Sequence, residues 1–185
     1  MTLLKSKMSS RWMGLLPLAF FALKAYQYRS PEALPNLLWW CNVSNLILGA
    51  AMIARNARAI WICSLMLIAG TPIWLLDVAA TNDFSIYSVL THFVSPVLGL
   101  RAVRALGPVK AVWLQAMIYY VLLMVAAFYF SPPGLNINLS HDVYAAAKPY
   151  ITNYYLYTAM NSSLLAISLL VLEKLFKRFL FPPPD

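Results

Sequence analysis

The stretch LLWWCNVSNLILGAAMIA, Leu37 to Ala54, decides how this chain is read. It is apolar enough for a membrane-spanning helix, yet Cys41, Asn42, Ser44 and Asn45 crowd near one end of it. Polar groups in hydrocarbon are costly unless paired, so such a cluster belongs against other helices rather than against lipid. What it faces depends on the rest of the chain.

The chain has 185 residues, 62% of them hydrophobic and 11% charged. A soluble domain of this length cannot hide so much apolar surface, since about half apolar is typical. Apolar runs of about 20 residues indicate transmembrane helices. Six can be drawn, at roughly 12–28, 36–54, 59–80, 84–101, 109–130 and 151–173. The expected fold is all-α: a single integral membrane domain over residues 1–185, built as a bundle of six transmembrane helices. Turn and charge signals separate the segments, as in RSPEALPN (29–36), ARNAR (54–58), ATNDF (80–84) and RAVRALGPVK (101–110). The longest connection, 131–149, is long enough to fold back over the membrane surface.

Both cysteines, Cys41 and Cys63, fall inside apolar runs, and no CxxC or Cys/His spacing exists. Neither a disulfide framework nor a zinc site is indicated, and no cofactor or metal is expected. The isoelectric point near 9.6 does not point to nucleic acid. The basic residues sit at the ends of apolar runs, where they set topology and meet anionic headgroups. Membrane lipids are therefore the expected partners, and assembly with further copies of the chain stays open.

Lys5, Lys7 and Arg11 before MGLLPLAFFAL resemble the start of a signal peptide. Lys24 interrupts the apolar run and no A-x-A site follows, so the segment reads as an uncleaved first helix. Lys24 is expected to snorkel to the outer interface. With six helices, 11 of the 14 basic residues fall on one side, leaving Lys24, Arg29 and Lys148 on the other. The positive-inside rule makes the first side cytoplasmic. The expected location is the cell (plasma or inner) membrane with both termini cytoplasmic. EKLFKRFLF (Glu173 to Phe181), closed by Pro182 to Pro184, reads as a basic amphipathic end lying along the inner interface.

In that orientation the intramembrane polar residues gather toward the outer side. Cys41 and Asn45 share one face of the second helix at a spacing of i, i+4. Ser88, His92 and Ser95 form a stripe on the fourth, and Tyr154, Thr158 and Asn161 form one on the sixth. Asn42, Asp77 and Asn153 lie at the same level. Together they are expected to line a pocket opening outward. The plain alternative is that Ser, Thr and Asn bond helices together. His92 stands apart, because an ionisable group at membrane depth is a functional candidate by default.

LLWWCNVSNLILG, then WICSLMLIAGTPIWLLD, then YSVLTHFVSPVLGL, together place a Cys-Asn pair early in one helix and a His in a later one. This order resembles the YwaF-like and TMEM164-like integral membrane proteins, which are distantly similar to the androgen-induced membrane lipid hydrolases. The resemblance covers about residues 36–175. It implies Cys41 as nucleophile and His92 as general base, with Asn42 and Asn45 as pocket groups, in a lipid acyltransferase or esterase. Cys41 agrees with the acyltransferase branch and departs from the Thr of the hydrolase branch. A small-solute transporter or channel, and a structural membrane subunit, remain as alternatives. Against transport, no internal repeat relates residues 12–80 to 84–173, and polar residues thin out on the cytoplasmic half.

Overall fold

The computed structural model describes residues 11–82 and 84–182, which are helices and turns without a strand. Lys5, Lys7, Pro183 and Pro184, used in the readings above, lie outside the described residues. All six apolar segments are helices: α1 (Leu15–Gln27), α2 (Trp40–Ala54), α3 (Ala57–Thr81), α4 (Ile86–Leu106), α5 (Val112–Phe130) and α6 (Tyr154–Leu180).

The four helices α3 to α6 are long and apolar enough to cross a membrane. The first two are shorter, with 13 and 15 residues. At about 1.5 Å per residue they span roughly 20 and 22 Å, less than a hydrocarbon core of about 30 Å. The cause is local. Leu34–Leu38 forms a 3-10 turn containing Pro35, and Trp39 is extended (φ −54°, ψ 132°), so Leu37 and Leu38 stand outside α2.

Arg55 turns left-handed (φ 59°) and Asn56 then caps α3 by accepting the Ala59 amide at 3.1 Å, which makes α2 and α3 a tight hairpin. Ile60, Trp61, Ser64, Leu65, Met66 and Leu67 are all buried, so this half of α3 is enclosed around its circumference, while Ile73, Leu75 and Leu76 beyond it are exposed. A helical stretch buried on every side belongs to the core of its bundle. It packs against α2, α4, α5 and α6. Small residues set the closest crossings. A Cβ on Gly49 of α2 would lie 2.7 Å from the Gly14 carbonyl oxygen, and one on Gly99 of α4 would overlap the Ser64 hydroxyl.

At the end carrying Arg55 and Arg104, the Trp61 indole donates to the Gly107 carbonyl at 2.9 Å. Glu173 of α6 is buried and accepts the Trp113 amide at 2.6 Å, placing a carboxylate at the positive N-terminus of α5. Lys177 pairs with the same carboxyl group. The amphipathic end expected along the interface does not form a separate element. It continues α6 to Leu180, because Phe176 and Phe181 turn their rings onto Trp61, with centroids 6.5 and 6.3 Å away.

The opposite end is closed by residues 131–153. Ile137 and Val143 are buried, and the Asn136 side-chain oxygen accepts the amides of His141 and Asp142 at 3.0 Å. Asn138 clasps the start of α2: its side-chain oxygen accepts the Trp40 amide at 3.0 Å and its amide donates to the Leu38 carbonyl at 2.8 Å. The sides of the bundle expose Leu122, Leu164 and Ile167 by 60–65%, the apolar surface an integral membrane protein presents to lipid.

Candidate functional site

The backbone around His92 is irregular for a reason written in the sequence. Pro96 has no N–H, so the His92 carbonyl loses the partner a regular helix supplies four residues on. The Thr71 hydroxyl of α3 stands 2.9 Å from that carbonyl and 2.9 Å from the Leu67 carbonyl, so its single proton is shared between the two. Leu90–Val94 winds as a π segment, a form found in short pieces and often at functional sites.

The His92 side chain is held on two sides. Its ring stacks on Trp74, with centroids 4.6 Å apart and planes 4° from parallel. Its Nδ1 lies 2.8 Å from the Ser88 carbonyl, which only accepts, so Nδ1 carries the proton. In the neutral ring Nε2 then bears the lone pair. Next to His92, the Thr91 hydroxyl is buried without a hydrogen-bond partner among the described residues.

Cys41 stands in the first turn of α2 and is half-buried, with Sγ 4.0 Å from the Asn42 side-chain oxygen. Its carbonyl accepts from the Asn45 amide at 2.8 Å, and the Asn45 oxygen in turn accepts the Ser95 hydroxyl. The nucleophile candidate is thus tied through one side chain to α4, three residues from His92. Among the described residues no hydrogen bond joins Cys41 Sγ to His92.

Lys24 was expected to reach the outer interface. Instead it is 3% exposed. Its ammonium is 2.8 Å from Ser88 Oγ and 3.1 Å from Gln27 Oε1, and it lies over the Tyr28 ring. Its charge acts on both Cys41 and His92. Snorkelling is unnecessary because α4 brings the Ser88 hydroxyl to the amine inside the bundle.

Cys41, Asn45, Ser88, His92 and Ser95 therefore share one neighbourhood with Lys24. The other candidates stand elsewhere. Asn42 is buried and donates to the Asn36 carbonyl at 2.9 Å, pinning the 3-10 turn before α2. Asp77 accepts the Tyr144 hydroxyl at 2.7 Å. Asn153 is exposed and caps α6 by accepting the Leu156 amide at 3.1 Å. Thr158 and Asn161 lie on α6, with Asn161 bonded to the Tyr120 hydroxyl of α5. α6 packs on α5 and α3, and Tyr120 of α5 packs its ring on Trp40, the residue before Cys41.

Sequence reasoning missed Lys24, Thr71, Trp74 and Asn138 as members of these networks. For Lys24 the interruption of an apolar run was the available signal. For Thr71 it was Pro96, which announces an orphaned carbonyl without saying who fills it. Among the described residues no three His, Cys, Asp or Glu side chains converge as metal ligands. Two shallow apolar depressions, of about 240 Å³ at Met117–Leu122 and about 320 Å³ along Leu46 to Ala59, lie away from Cys41 and His92. No family profile, curated protein or solved structure matches this chain.

Proposed function

We propose that this chain is a six-span integral membrane protein with cytoplasmic termini, which transfers or hydrolyses lipid acyl groups using Cys41 as nucleophile and His92 as base. The observation that carries this reading is the fixed tautomer of His92. The Ser88 carbonyl holds the proton on Nδ1, leaving the lone pair on Nε2 in the neighbourhood of a thiol and the Lys24 side chain.

The chemistry runs in two steps. The thiol turns from Asn42 toward His92, and Nε2 takes its proton as Sγ attacks the ester carbonyl carbon. The S–C bond forms, the ester C–O bond breaks, and the imidazolium returns its proton to the leaving alcohol. A second alcohol, or water, then attacks the acyl carbon with Nε2 again as base, the thioester C–S bond breaks, and the imidazolium returns the proton to Sγ. The lipid-facing apolar sides of α4 to α6 suit a substrate arriving from the bilayer, and the resemblance in the Cys-Asn and later His order supports the same class.

A structural membrane subunit is the second reading. It is favoured by the Asn45–Ser95 bond and the Asn138 clasp, in which polar side chains satisfy one another between segments.

The test uses the full chain in lipid nanodiscs with a labelled phospholipid. Acyl release or transfer is expected, and Cys41→Ala and His92→Ala should each abolish it, with the double variant scarcely worse because the pair acts as a unit. Turnover unchanged by Cys41→Ala contradicts the enzyme reading. Reporter fusions after Lys110 and after Asp142 should lie on opposite sides of the membrane. A shared side contradicts the six-span topology.

A further inference from the structure

We infer that Ser88 and Lys24 form a second nucleophile–base pair, a serine–lysine dyad directed at carboxylic esters of lipids. The inference shares the lipid substrate class of the reading above but uses a different nucleophile on different atoms.

The bonding of the serines singles this one out. Ser64, Ser131 and Ser168 donate back to the carbonyl four residues earlier in their own helices. Ser95 is spent on Asn45, and Ser44 on the Tyr119 hydroxyl. Ser88 alone among these faces an amine, with Lys24 Nζ 2.8 Å from its Oγ across two helices 64 positions apart. A buried ionisable side chain in a membrane chain marks a functional site by default. Lysine amines withdrawn from water act as general bases, and serine–lysine pairs recur as replacements for the serine–histidine arrangement.

The surroundings fit the role. The Ser88 backbone is held by His92 Nδ1 on its carbonyl, which fixes the nucleophile from behind. Ser88 itself is half-buried and so reachable, while Lys24 is enclosed. Phe84, Ile86 and Phe93 on the same segment are 65%, 58% and 48% exposed, an apolar approach for an acyl chain. Gln27 points Oε1 at the amine, so its two N–H hydrogens remain to donate to an oxyanion.

The steps balance with water as the only co-reactant. Lys24, which donates to Ser88 Oγ as an ammonium, first gives up one proton to solvent, and the resulting amine takes the Ser88 proton while Oγ bonds to the ester carbonyl carbon. The ester C–O bond breaks, the ammonium protonates the departing alcohol, and acyl-Ser88 remains. Lys24 then takes a proton from water, the hydroxide attacks the acyl carbon, and the ammonium returns a proton to Oγ. The products are an alcohol and a carboxylic acid.

The test is labelling of the full chain in nanodiscs with an alkyl fluorophosphonate, followed by peptide mass mapping. The phosphonyl adduct is expected on Ser88. Lys24→Arg, which keeps the charge but holds its proton, should slow labelling by about 100-fold, within the range of general-base catalysis. Ser88→Ala should remove the adduct altogether. A wild-type protein unlabelled at Ser88, or labelled equally in folded Lys24→Arg, overturns the inference. Neither result bears on an acyl group at Cys41, so the two sites fail separately. Should Lys24→Arg not fold, the wild-type map alone decides: no adduct on Ser88 rejects the dyad.

Discussion

The Ser95 hydroxyl of α4 donates to the side-chain oxygen of Asn45 on α2, and both residues are buried, exposed by 0% and 1%. Through the second half of the same amide, Asn45 also holds the Cys41 carbonyl. One side chain therefore fixes the first turn of α2 against the helix that carries His92.

That bond should register as a coupling in a double-mutant cycle. Interhelical hydrogen bonds in membrane proteins average about 0.6 kcal/mol and reach about 1.7 kcal/mol. Asn45→Ala and Ser95→Ala, singly and together, should give an interaction energy in that range when unfolding is followed in detergent micelles. Purely additive losses would show that the two side chains do not act on each other.

The α3–α4 crossing should tolerate nothing larger than glycine at position 99. Gly99→Ala sets a methyl group on the Ser64 hydroxyl, and such overpacking costs about 1–3 kcal/mol. Removing the obstacle in Gly99→Ala/Ser64→Ala should recover much of the loss. Equal stability of the single and double variants, read from thermal unfolding, would contradict the crossing as described.

Asn138 occupies the left-handed region (φ 54°) and also clasps the start of α2. These two roles separate by substitution. Asn138→Gly keeps the backbone conformation but loses the two hydrogen bonds of the clasp, each worth about 0.5–1.5 kcal/mol. Hydrogen exchange at the Trp40 amide should accelerate in Asn138→Gly. Unchanged protection there would mean that the 131–153 segment does not secure α2.

Tyr144 lies in the segment between α5 and α6 and donates its hydroxyl proton to Asp77. That bond to a carboxylate, with some burial, pushes the phenol up from 10.0 to about 12. The folded chain thus keeps this proton where the unfolded chain has released it. The contribution is fully present below about pH 10 and is lost as pH rises through about 12. Wild type should lose thermal stability over that window more steeply than Tyr144→Phe. Parallel curves for the two proteins would rule out the linkage.

Much of the architecture was legible because apolar runs and their breakers act locally. All six segments are helices, and the ARNAR break falls on the Arg55–Asn56 turn. The short span of α2 was not legible, since only the geometry of Trp39 shows that Leu37 and Leu38 belong to a 3-10 turn. In the site, the i, i+4 pair Cys41–Asn45 and the Ser88–His92–Ser95 stripe were readable as helical faces. Their partners were not. Whether Thr158 and Asn161 faced Cys41 depended on where α6 packs, and periodicity along one helix does not say which neighbour it meets. Lys24 illustrates the same limit, because its burial rests on Ser88, 64 positions away.

The most direct test of the central claim is mass spectrometry of the full chain, acid-quenched in nanodiscs made from a phospholipid of one acyl composition. The account predicts a hydroxylamine-labile thioester on Cys41, heavier by that acyl group and absent from His92→Ala. Lipid turnover with Cys41 unmodified, or no adduct at Cys41 under any such lipid, would contradict it.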